Sequence, residues 1–234
     1  MIRTLLALGF YAVMIPLAAL VAFPWTFISG KIDFLYNLAM RITRTGVWLA
    51  GVRVETRGLE HLDLARHYIF MANHASNADP PILIPALPRR TSVLVKRELF
   101  RVPLLGRAML MAKLVPIDRR NKGAAIASML AAAGVVREGL DMTVFPEGTR
   151  SSDGRLLPFK QGPFYMALET GAPIVPVTIL GTYEILPKGR LRVKPGRATL
   201  VFHAPVEPQA FAERDALMAA VRERIASVLP EERR

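Results

Sequence analysis

The sequence predicts an α/β fold, in which a mostly parallel mixed sheet is flanked by helices and preceded by an N-terminal hydrophobic and amphipathic helical membrane anchor. Short β-rich runs alternate with helical runs beyond about residue 50, and residues 4–30 carry no charged side chain. Several strand runs are apolar almost throughout, as in parallel sheets covered by helices on both faces. We therefore expect a membrane-associating helical segment, residues 1–50, and an α/β domain, residues 51–234.

The uncharged run is about 27 residues long, more than the roughly 20 that span a bilayer core. Pro16 and Pro24 interrupt it, so a kinked span or a re-entrant hairpin is expected, because proline removes a helical donor and clashes with the preceding turn. Residues 31–48 combine basic side chains with apolar ones near helical spacing, a pattern typical of a helix in the membrane interface. Crossing the bilayer and lying in one leaflet both fit this sequence.

The basic residues that follow the apolar run predict the orientation of the chain. They outnumber Arg3, which precedes the run, and they are Lys31, Arg41, Arg44, Arg53 and Arg57. This asymmetry predicts attachment to the cytoplasmic (inner) membrane, with the α/β domain facing the cytoplasm. A cleaved secretory signal is the alternative, since residues 19–22 include small side chains, but the run exceeds the usual h-region of about 7–15 residues.

Strand and helix runs follow one another through the rest of the chain. The β-rich runs are 52–56, 67–71, 92–95, 113–117, 142–145, 174–179 and 198–202. The helical runs are 80–86, 104–111, 123–138, 164–169 and 210–228. This order predicts α/β layers. The long irregular stretch 148–162 has the length of a functional loop.

The composition is both basic and apolar. Lys and Arg number 31 against 19 Asp and Glu, giving a net charge of +12, and 52% of the residues are hydrophobic. The charge suits nucleic acid or an anionic membrane, and the apolar excess favours the membrane, so no nucleic acid partner is expected. The absence of cysteine excludes a disulfide framework, a cysteine-ligated zinc site, an iron–sulfur cluster and a thiol nucleophile.

His74 is the one histidine of the four in a site-like position. It follows the apolar run 68–71 and opens a polar stretch that ends at Asp79. Open α/β sheets bind ligands at the carboxyl ends of their strands. Asp79 precedes Pro80 and suits a helix N-cap, and a turn ending there can return its carboxylate to the imidazole, making His74 a general base. On spacing alone, an incidental loop histidine beside a capping aspartate explains the stretch equally well.

A second polar turn follows the strand run 142–145. Within it, Gly148 permits a positive φ and Arg150 offers a planar fork that matches phosphate or carboxylate. Basic pairs follow two more strand runs, and they are Lys96-Arg97 and Arg119-Arg120. Each cluster alone is typical of a solvated face or of an ion pair within a turn. Four polar clusters at strand ends together indicate a binding site.

Taken in order, these segments resemble the glycerophospholipid acyltransferases. The resemblance rests on Asn73-His74-x-x-x-x-Asp79, Lys96-Arg97-Glu98-Leu99, Pro116-Ile117-Asp118-Arg119, Phe145-Pro146-Glu147-Gly148-Thr149-Arg150-Ser151 and Ile174-Val175-Pro176-Val177. It spans roughly residues 65–180 and is strongest toward bacterial 1-acyl-sn-glycerol-3-phosphate acyltransferases, which make phosphatidic acid from lysophosphatidic acid. The ordered set is specific, although each segment alone is not.

The resemblance implies that residues 51–234 are an acyltransferase catalytic domain of phospholipid biosynthesis. It implies that His74 deprotonates the glycerol 2-hydroxyl while Asp79 orients the imidazole. The implied phosphate-binding residues are Lys96, Arg119, Glu147, Gly148, Thr149 and Arg150. The resemblance does not decide whether Lys96 or Arg97 is the ligand in its segment. The implied co-substrate is acyl-CoA or an acyl-acyl carrier protein, with no metal and no cofactor. The residues that line the acyl chain in this view are Leu104, Leu105, Met109, Leu110, Met111 and Leu114, with core packing as the alternative.

Other classes of protein lack their usual sequence signatures here. A serine hydrolase could use Ser76 beside His74, but no Gly-x-Ser-x-Gly elbow occurs. The chain also lacks the glycine-rich phosphate loops of nucleotide-binding proteins and the His-Glu-x-x-His of zinc enzymes. A non-catalytic basic protein that binds anionic lipid stays open, as does an acyltransferase for another lysophospholipid or for glycerol phosphate.

Overall fold

A computed structural model describes residues 1–118 and 122–234 of the chain. Two long helices come first, α1 (Ile2–Ser29) and α2 (Asp33–Leu49). Helix α1 runs through both internal prolines, so a hairpin within residues 4–30 is wrong. The chain reverses at Gly30 instead, where φ is +69° and the backbone N–H donates to the Thr26 carbonyl. Glycine suits this left-handed C-cap because it has no Cβ.

Helices α1 and α2 pack closely against each other. The Tyr11 hydroxyl donates to the Thr43 carbonyl at 3.2 Å. A Cβ at Gly46 would overlap the end of the Tyr11 ring, so glycine leaves room for the ring in this position. Helix α1 is long and apolar enough to cross a membrane, by length and composition. Most of its large apolar side chains are exposed, including Leu5, Leu8, Val13, Leu20, Val21 and Ile28.

Helix α1 also contacts the α/β layers at both of its ends. Near the start, the Thr4 hydroxyl donates to the Val193 carbonyl at 3.2 Å. Near the end, the Arg107 guanidinium lies 4.9 Å from the centre of the Phe27 ring. A helix of 28 residues is about 42 Å long. The helix therefore lies along the side of the domain, with its apolar outer face uncovered.

A seven-stranded sheet forms the centre of the molecule. Its strands are β1 (Val52–Arg57), β2 (Ile69–Ala72), β3 (Thr91–Lys96), β4 (Val115–Ile117), β5 (Asp141–Val144), β6 (Ile174–Leu180) and β7 (Gly196–Phe202). The spatial order is β1-β7-β6-β2-β5-β3-β4. All neighbouring pairs are parallel except β6 and β7. The predicted fold class is confirmed, and the predicted strands are found with bounds within two residues.

In the described part of the chain, five helices connect the strands and a sixth follows the last strand. They are α3 (Asp79–Ala86), α4 (Leu105–Met111), α5 (Lys122–Arg137), α6 (Gly162–Thr170), α7 (Thr182–Ile185) and α8 (Arg214–Ser227). The short helix α7 was not among the predicted elements. The predicted start of the last helix at residue 210 is wrong. Residues 208–210 form a separate 3₁₀ turn, and the extended backbone of Phe211 and Glu213 delays the helix to Arg214.

Both faces of the sheet are buried. Along β2, Phe70 packs into the cluster on the side of α1, α2 and α3. Its neighbours Ile69 and Met71 pack into the cluster with α5, α6 and α8. All three side chains are fully buried. This explains why the central strands are apolar throughout rather than alternating.

The register of β2 and β5 places two loops side by side. The two strands are parallel and Met71 pairs with Val144. The chain therefore leaves both strands at the same edge of the sheet, into residues 73–78 and residues 145–161. Both polar segments singled out from the sequence lie at this edge, as expected for a site in an open α/β sheet.

Candidate active site

His74 and Asp79 form a buried pair at the carboxyl end of β2. The His74 Nδ1 and the Asp79 Oδ2 are 2.8 Å apart, and the Asp79 side chain is fully buried. The same Oδ2 accepts backbone N–H bonds from Ala75 and Ser76, each at 2.8 Å. Asp79 is therefore not the N-cap that the sequence predicted. Helix α3 begins at Asp79 itself with Ala78 as N-cap, and the carboxylate turns back to the preceding loop.

This arrangement fixes the tautomer of the imidazole. A carboxylate only accepts hydrogen bonds, so His74 Nδ1 carries the proton and donates to Asp79. The lone pair of the neutral ring is then on Nε2, to which no described residue is hydrogen-bonded. The ring stacks on Phe145 with centroids 4.1 Å apart and an angle of 23° between the planes. His74 thus has a fixed ring with one nitrogen available to take a proton.

The backbone of His74 is held by the turn that follows β5. Its N–H donates to Glu147 Oε1 at 2.6 Å, and its carbonyl accepts from the Ser151 N–H at 2.8 Å. The other oxygen of Glu147 accepts from the Leu157 N–H at 3.0 Å. Burial raises the pKa of Glu147 to about 7, and the two backbone donors oppose that shift. Both oxygens of this carboxylate are bonded to backbone and 2% of the residue is exposed, so Glu147 faces the loop and presents no surface to a phosphate.

The next three residues of this turn are more open. Gly148 adopts a φ of +71° and its N–H donates to the Phe145 carbonyl at 3.0 Å. Thr149 is exposed and Arg150 is half-buried. No carboxylate lies within ion-pair distance of the Arg150 guanidinium in the described part of the chain. A cation without an internal partner, one residue from the Ser151 contact to His74, is suited to an anionic ligand.

The other predicted phosphate-binding residues are placed less directly. Lys96 ends β3 at the same edge of the sheet, with its side chain 70% exposed and its Nζ 3.6 Å from Glu98. Arg97 begins the exposed 3₁₀ turn that follows. Arg119, and Arg120 beside it, lie outside the described residues. The structure thus brings together His74, Asp79, Glu147 and the turn that carries Arg150, and leaves Lys96 at the rim.

Comparison with known proteins identifies the family of the chain. Residues 53–180 match the sequence model of the family described as Acyltransferase. The chain belongs to the acyltransferase family. The matched range contains both polar turns, and the family predicted from the sequence is confirmed.

Individual relatives of this acyltransferase carry a more specific description. It is 39% identical over 184 residues to a 1-acyl-sn-glycerol-3-phosphate acyltransferase of Limnanthes alba, an alignment that covers 78% of this chain and 64% of the relative. It is 30% identical over 228 residues to the alpha form of that enzyme from Mus musculus, covering 96% and 80%. The chain therefore spans less than two thirds of the Limnanthes relative and four fifths of the mouse one.

A solved structure shows the same architecture. The crystal structure of the 1-acyl-sn-glycerophosphate (LPA) acyltransferase of Thermotoga maritima superposes with a TM-score of 0.80 and 28% sequence identity. The superposition covers 97% of this chain and 94% of the other. The likeness therefore includes α1 and α2 as well as the sheet.

In this acyltransferase two polar residues near His74, Asn73 and Ser76, have structural roles. The Asn73 side chain exchanges two hydrogen bonds with the backbone of Ile179 on β6, at 3.0 and 2.7 Å. The Ser76 hydroxyl is fully buried and donates to the Leu186 carbonyl at 2.6 Å. A serine in these contacts is not presented as a nucleophile. This argues against the serine hydrolase alternative.

The C-terminal part of the acyltransferase supports the loop beyond Arg150. Arg222 on α8 donates to the carbonyls of Leu157 and Leu156, at 3.0 and 3.3 Å, and its guanidinium lies 5.5 Å from the centre of the Phe159 ring. The Leu156 N–H donates to the carbonyl of Arg233 at 2.9 Å. Sequence reasoning missed these contacts, because an arginine on an amphipathic helix carries no sign of a partner some 65 residues away.

An apolar cavity of about 380 Å³ lies between the α1–α2 pair and the face of the sheet with α3, β3 and α4. Three of the residues expected to line an acyl chain, Leu105, Met109 and Leu114, line it. The other three, Leu104, Leu110 and Met111, do not line it, and Leu104 and Leu110 are largely exposed. Among the described residues no three His, Asp or Glu side chains are grouped so as to hold a metal ion.

Proposed function

We propose that this chain transfers a fatty acyl group from a thioester donor to the 2-hydroxyl of 1-acyl-glycerol 3-phosphate and thereby forms phosphatidic acid. The observation that carries the proposal is the His74–Asp79 pair, which leaves the Nε2 lone pair available beside the turn of Arg150, a cation with no carboxylate partner among the described residues. The activity for which the relatives from Limnanthes alba and Mus musculus are named supports the same reaction.

In the proposed mechanism His74 is the general base. Its Nε2 takes the proton of the 2-hydroxyl as the oxygen attacks the thioester carbonyl carbon, and Asp79 stabilises the resulting imidazolium. The tetrahedral intermediate then collapses, the carbon–sulfur bond breaks, and the leaving thiolate takes the proton back from Nε2. No acyl-enzyme forms, so no nucleophilic serine or cysteine is needed. General-base catalysis supplies about 10²–10⁴-fold, and positioning of the two substrates supplies the remainder.

The acceptor phosphate binds to the turn after β5 in this proposal. Arg150 is the principal ligand, because its guanidinium has no carboxylate partner among the described residues and suits a phosphate with two parallel hydrogen bonds. Thr149 adds an exposed hydroxyl, and Gly148 shapes the turn. Lys96, at the end of β3, and Arg119 complete the proposed set. Glu147 acts through the His74 backbone, as a positioning residue rather than a phosphate ligand.

The donor is acyl-CoA or an acyl-acyl carrier protein, and the reaction needs no further cofactor. The cavity behind α1 and α2 is the proposed place for an acyl chain, since its walls are almost entirely apolar and its volume is in the range of ligand pockets, about 300–1,000 Å³. A chain held there is shielded from water, which disfavours hydrolysis of the thioester.

We further propose that α1 holds the enzyme on the cytoplasmic face of the inner membrane. Both ends of α1 contact the α/β layers, and this supports a helix that lies in one leaflet. A helix that crossed the bilayer would have one end on the far side of the membrane, out of contact with the α/β domain. The acceptor is a lipid, so this position brings His74 to the surface where its hydroxyl is found. The basic residues after residue 30 support the cytoplasmic side.

The experiment is a substrate panel with the purified full chain. Lysophosphatidic acid, glycerol 3-phosphate and lysophosphatidylcholine are offered with acyl-CoA and with acyl-acyl carrier protein, and products are identified by mass. We expect phosphatidic acid from lysophosphatidic acid alone. Free fatty acid without phosphatidic acid would establish a lipid hydrolase, and lipid binding without any transfer would establish a non-catalytic binding protein.

A further inference from the structure

The loop between α7 and β7 carries an unusual concentration of positive charge. Residues 187–197, which comprise most of this loop and the first two residues of β7, contain no acidic residue and five basic ones, which are Lys188, Arg190, Arg192, Lys194 and Arg197. Two of these have partners: Lys188 Nζ donates to the Arg150 carbonyl, and Arg197 pairs with Glu55 at 3.1 Å. The other three are exposed, with no carboxylate partner in the residues that the structure describes, and line a cavity of about 420 Å³ with Pro187.

An exposed leucine lies between the first two of these three cations. Leu191 is 91% exposed, the highest value among the large apolar residues of the described chain. A single exposed apolar residue is ordinary on a protein surface. A protruding leucine flanked by two arginines that have no carboxylate partner among the described residues is instead the pattern of a segment at a membrane interface. There the apolar tip enters the acyl region and the cations meet headgroups.

The loop lies next to the apolar helix α1 and next to the active site. The Val193 carbonyl accepts from the Thr4 hydroxyl near the start of α1, where Leu5 is exposed. On its other side, Pro187 forms a β-bridge with Ser76, two residues from His74. A membrane that contacts the exposed face of α1 near its start therefore also reaches this loop, at the edge of the sheet where the reaction takes place.

We propose that residues 187–194 form a second membrane contact, in which Arg190, Arg192 and Lys194 bind the phosphate groups of anionic phospholipids and Leu191 inserts between their acyl chains. Arginine suits this task because its fork pairs with two phosphate oxygens. The contact tilts the carboxyl edge of the sheet toward the bilayer, so a lipid acceptor enters without leaving the surface. This binding is independent of the proposed acyl transfer.

A bilayer fits the loop better than an acidic carrier protein does. A carrier protein would use the charges, but it gives no reason for Leu191 to protrude into solvent or for the loop to adjoin α1. Binding of a carrier protein is the alternative, and the turnover experiment below distinguishes it from membrane binding.

The first experiment measures binding to vesicles. The triple variant R190S/R192S/K194S is compared with R57S/R66S/R137S, which removes the same charge from exposed, ion-paired arginines at the opposite edge of the sheet. With vesicles of phosphatidylcholine and phosphatidylglycerol we expect the loop variant to lose about fivefold in affinity per removed charge. We expect the control to keep the affinity of the unmodified chain. Equal losses in both variants would overturn the proposal.

The second experiment locates the loop in the bilayer. The chain has no cysteine, so L191C takes a single environment-sensitive fluorophore, and R137C is the matched control. We expect a blue shift of the L191C label on anionic vesicles, none for the control label, and loss of the shift when R190S/R192S/K194S is added. A label at 191 that stays in water while the protein is vesicle-bound would overturn the proposal.

Turnover measurements then distinguish a membrane contact of the loop from a carrier-protein contact. With acceptor embedded in vesicles, we expect the loop variant to lose activity in proportion to its loss of vesicle binding. With a dispersed short-chain acceptor and acyl-CoA, we expect the variant to keep its activity. A raised KM for acyl-acyl carrier protein with unchanged vesicle binding would assign the loop to the carrier protein and overturn the membrane contact. Absence of all turnover in the unmodified chain would overturn the proposed function and leave the vesicle result standing.

Discussion

Glu147 holds the backbone of His74, which lies 73 residues earlier in the chain, through a hydrogen bond of 2.6 Å to its N–H. The same carboxylate holds Leu157 in the loop beyond Arg150, at 3.0 Å. One buried side chain thus sets the position of the proposed base relative to the proposed phosphate-binding turn. The distance between the hydroxyl and the phosphate of the acceptor is fixed, so this coupling determines whether both reach their partners.

Replacement of Glu147 by glutamine should damage both stability and turnover. The amide keeps the size of the side chain, but its NH₂ group then faces the N–H of His74 or of Leu157, so one hydrogen bond becomes a contact between two donors. We expect a loss of about 1–3 kcal/mol in unfolding free energy and a lower kcat. Thermal unfolding and steady-state kinetics measure the two effects. Glu138→Gln, at an exposed ion pair, is the control and should leave kcat unchanged.

The raised pKa of Glu147 makes a directional prediction about pH. Burial raises the pKa to about 7 from an ordinary value of 4.5, so the folded state holds this proton more tightly than the unfolded state. Its contribution to stability is complete below the unfolded pKa and is lost as pH rises through about 7. We expect the gap in melting temperature between the unmodified chain and Glu147→Gln to change over that window. A gap that is constant from about pH 4.5 to pH 8 would contradict the assignment.

Asp79→Asn should reduce turnover by roughly 10⁴-fold while the chain stays folded. Asparagine can still accept from the backbone of Ala75 and Ser76 through its oxygen. In that orientation the NH₂ group takes the place of Oδ1, so the bond from His74 Nδ1 is kept but the negative charge that stabilises the imidazolium is lost. In the flipped orientation the NH₂ group donates to Nδ1, which moves the ring proton to Nε2 and removes the base. Kinetics and circular dichroism on the same sample measure this. Turnover within tenfold of the unmodified chain would show that Asp79 only shapes the loop.

Arg150→Ala should raise the KM for lysophosphatidic acid much more than the KM for the acyl donor. Loss of a charged hydrogen-bonding partner costs about 1.5–3 kcal/mol, which corresponds to roughly 10- to 150-fold. Arg155→Ala is the matched control, because Arg155 lies on the same loop with an exposed side chain near Asp153. Equal rises in both constants for Arg150→Ala would assign Arg150 to the structure of the loop.

The sequence was most informative for features that a single local segment determines. The buried strands were recognised because β2 and β6 are apolar on both faces, and His74 was recognised because a polar turn follows β2. The Asp79 N-cap was wrong because the carboxylate is needed by the N–H groups of Ala75 and Ser76. That competition depends on how the loop folds back.

The remaining features depend on partners distant in sequence. The family resemblance implied a phosphate-binding role for Glu147, but its neighbour in space is the His74 backbone. The support of the loop by Arg222 joins α8 to residues 156 and 157, and no local pattern indicates it. The antiparallel pairing of β6 with β7 is likewise set by the path of the chain and not by either strand alone.

The most direct test of the proposed chemistry is the formation of phosphatidic acid by the unmodified chain and by His74→Ala, with lysophosphatidic acid and a thioester donor, measured by mass. His74 Nε2 is the only base in the proposed mechanism, so we predict phosphatidic acid from the unmodified chain and none above the uncatalysed rate from the variant. Circular dichroism and vesicle binding must be unchanged in the variant. Phosphatidic acid formed by folded His74→Ala at a near-normal rate would contradict the mechanism.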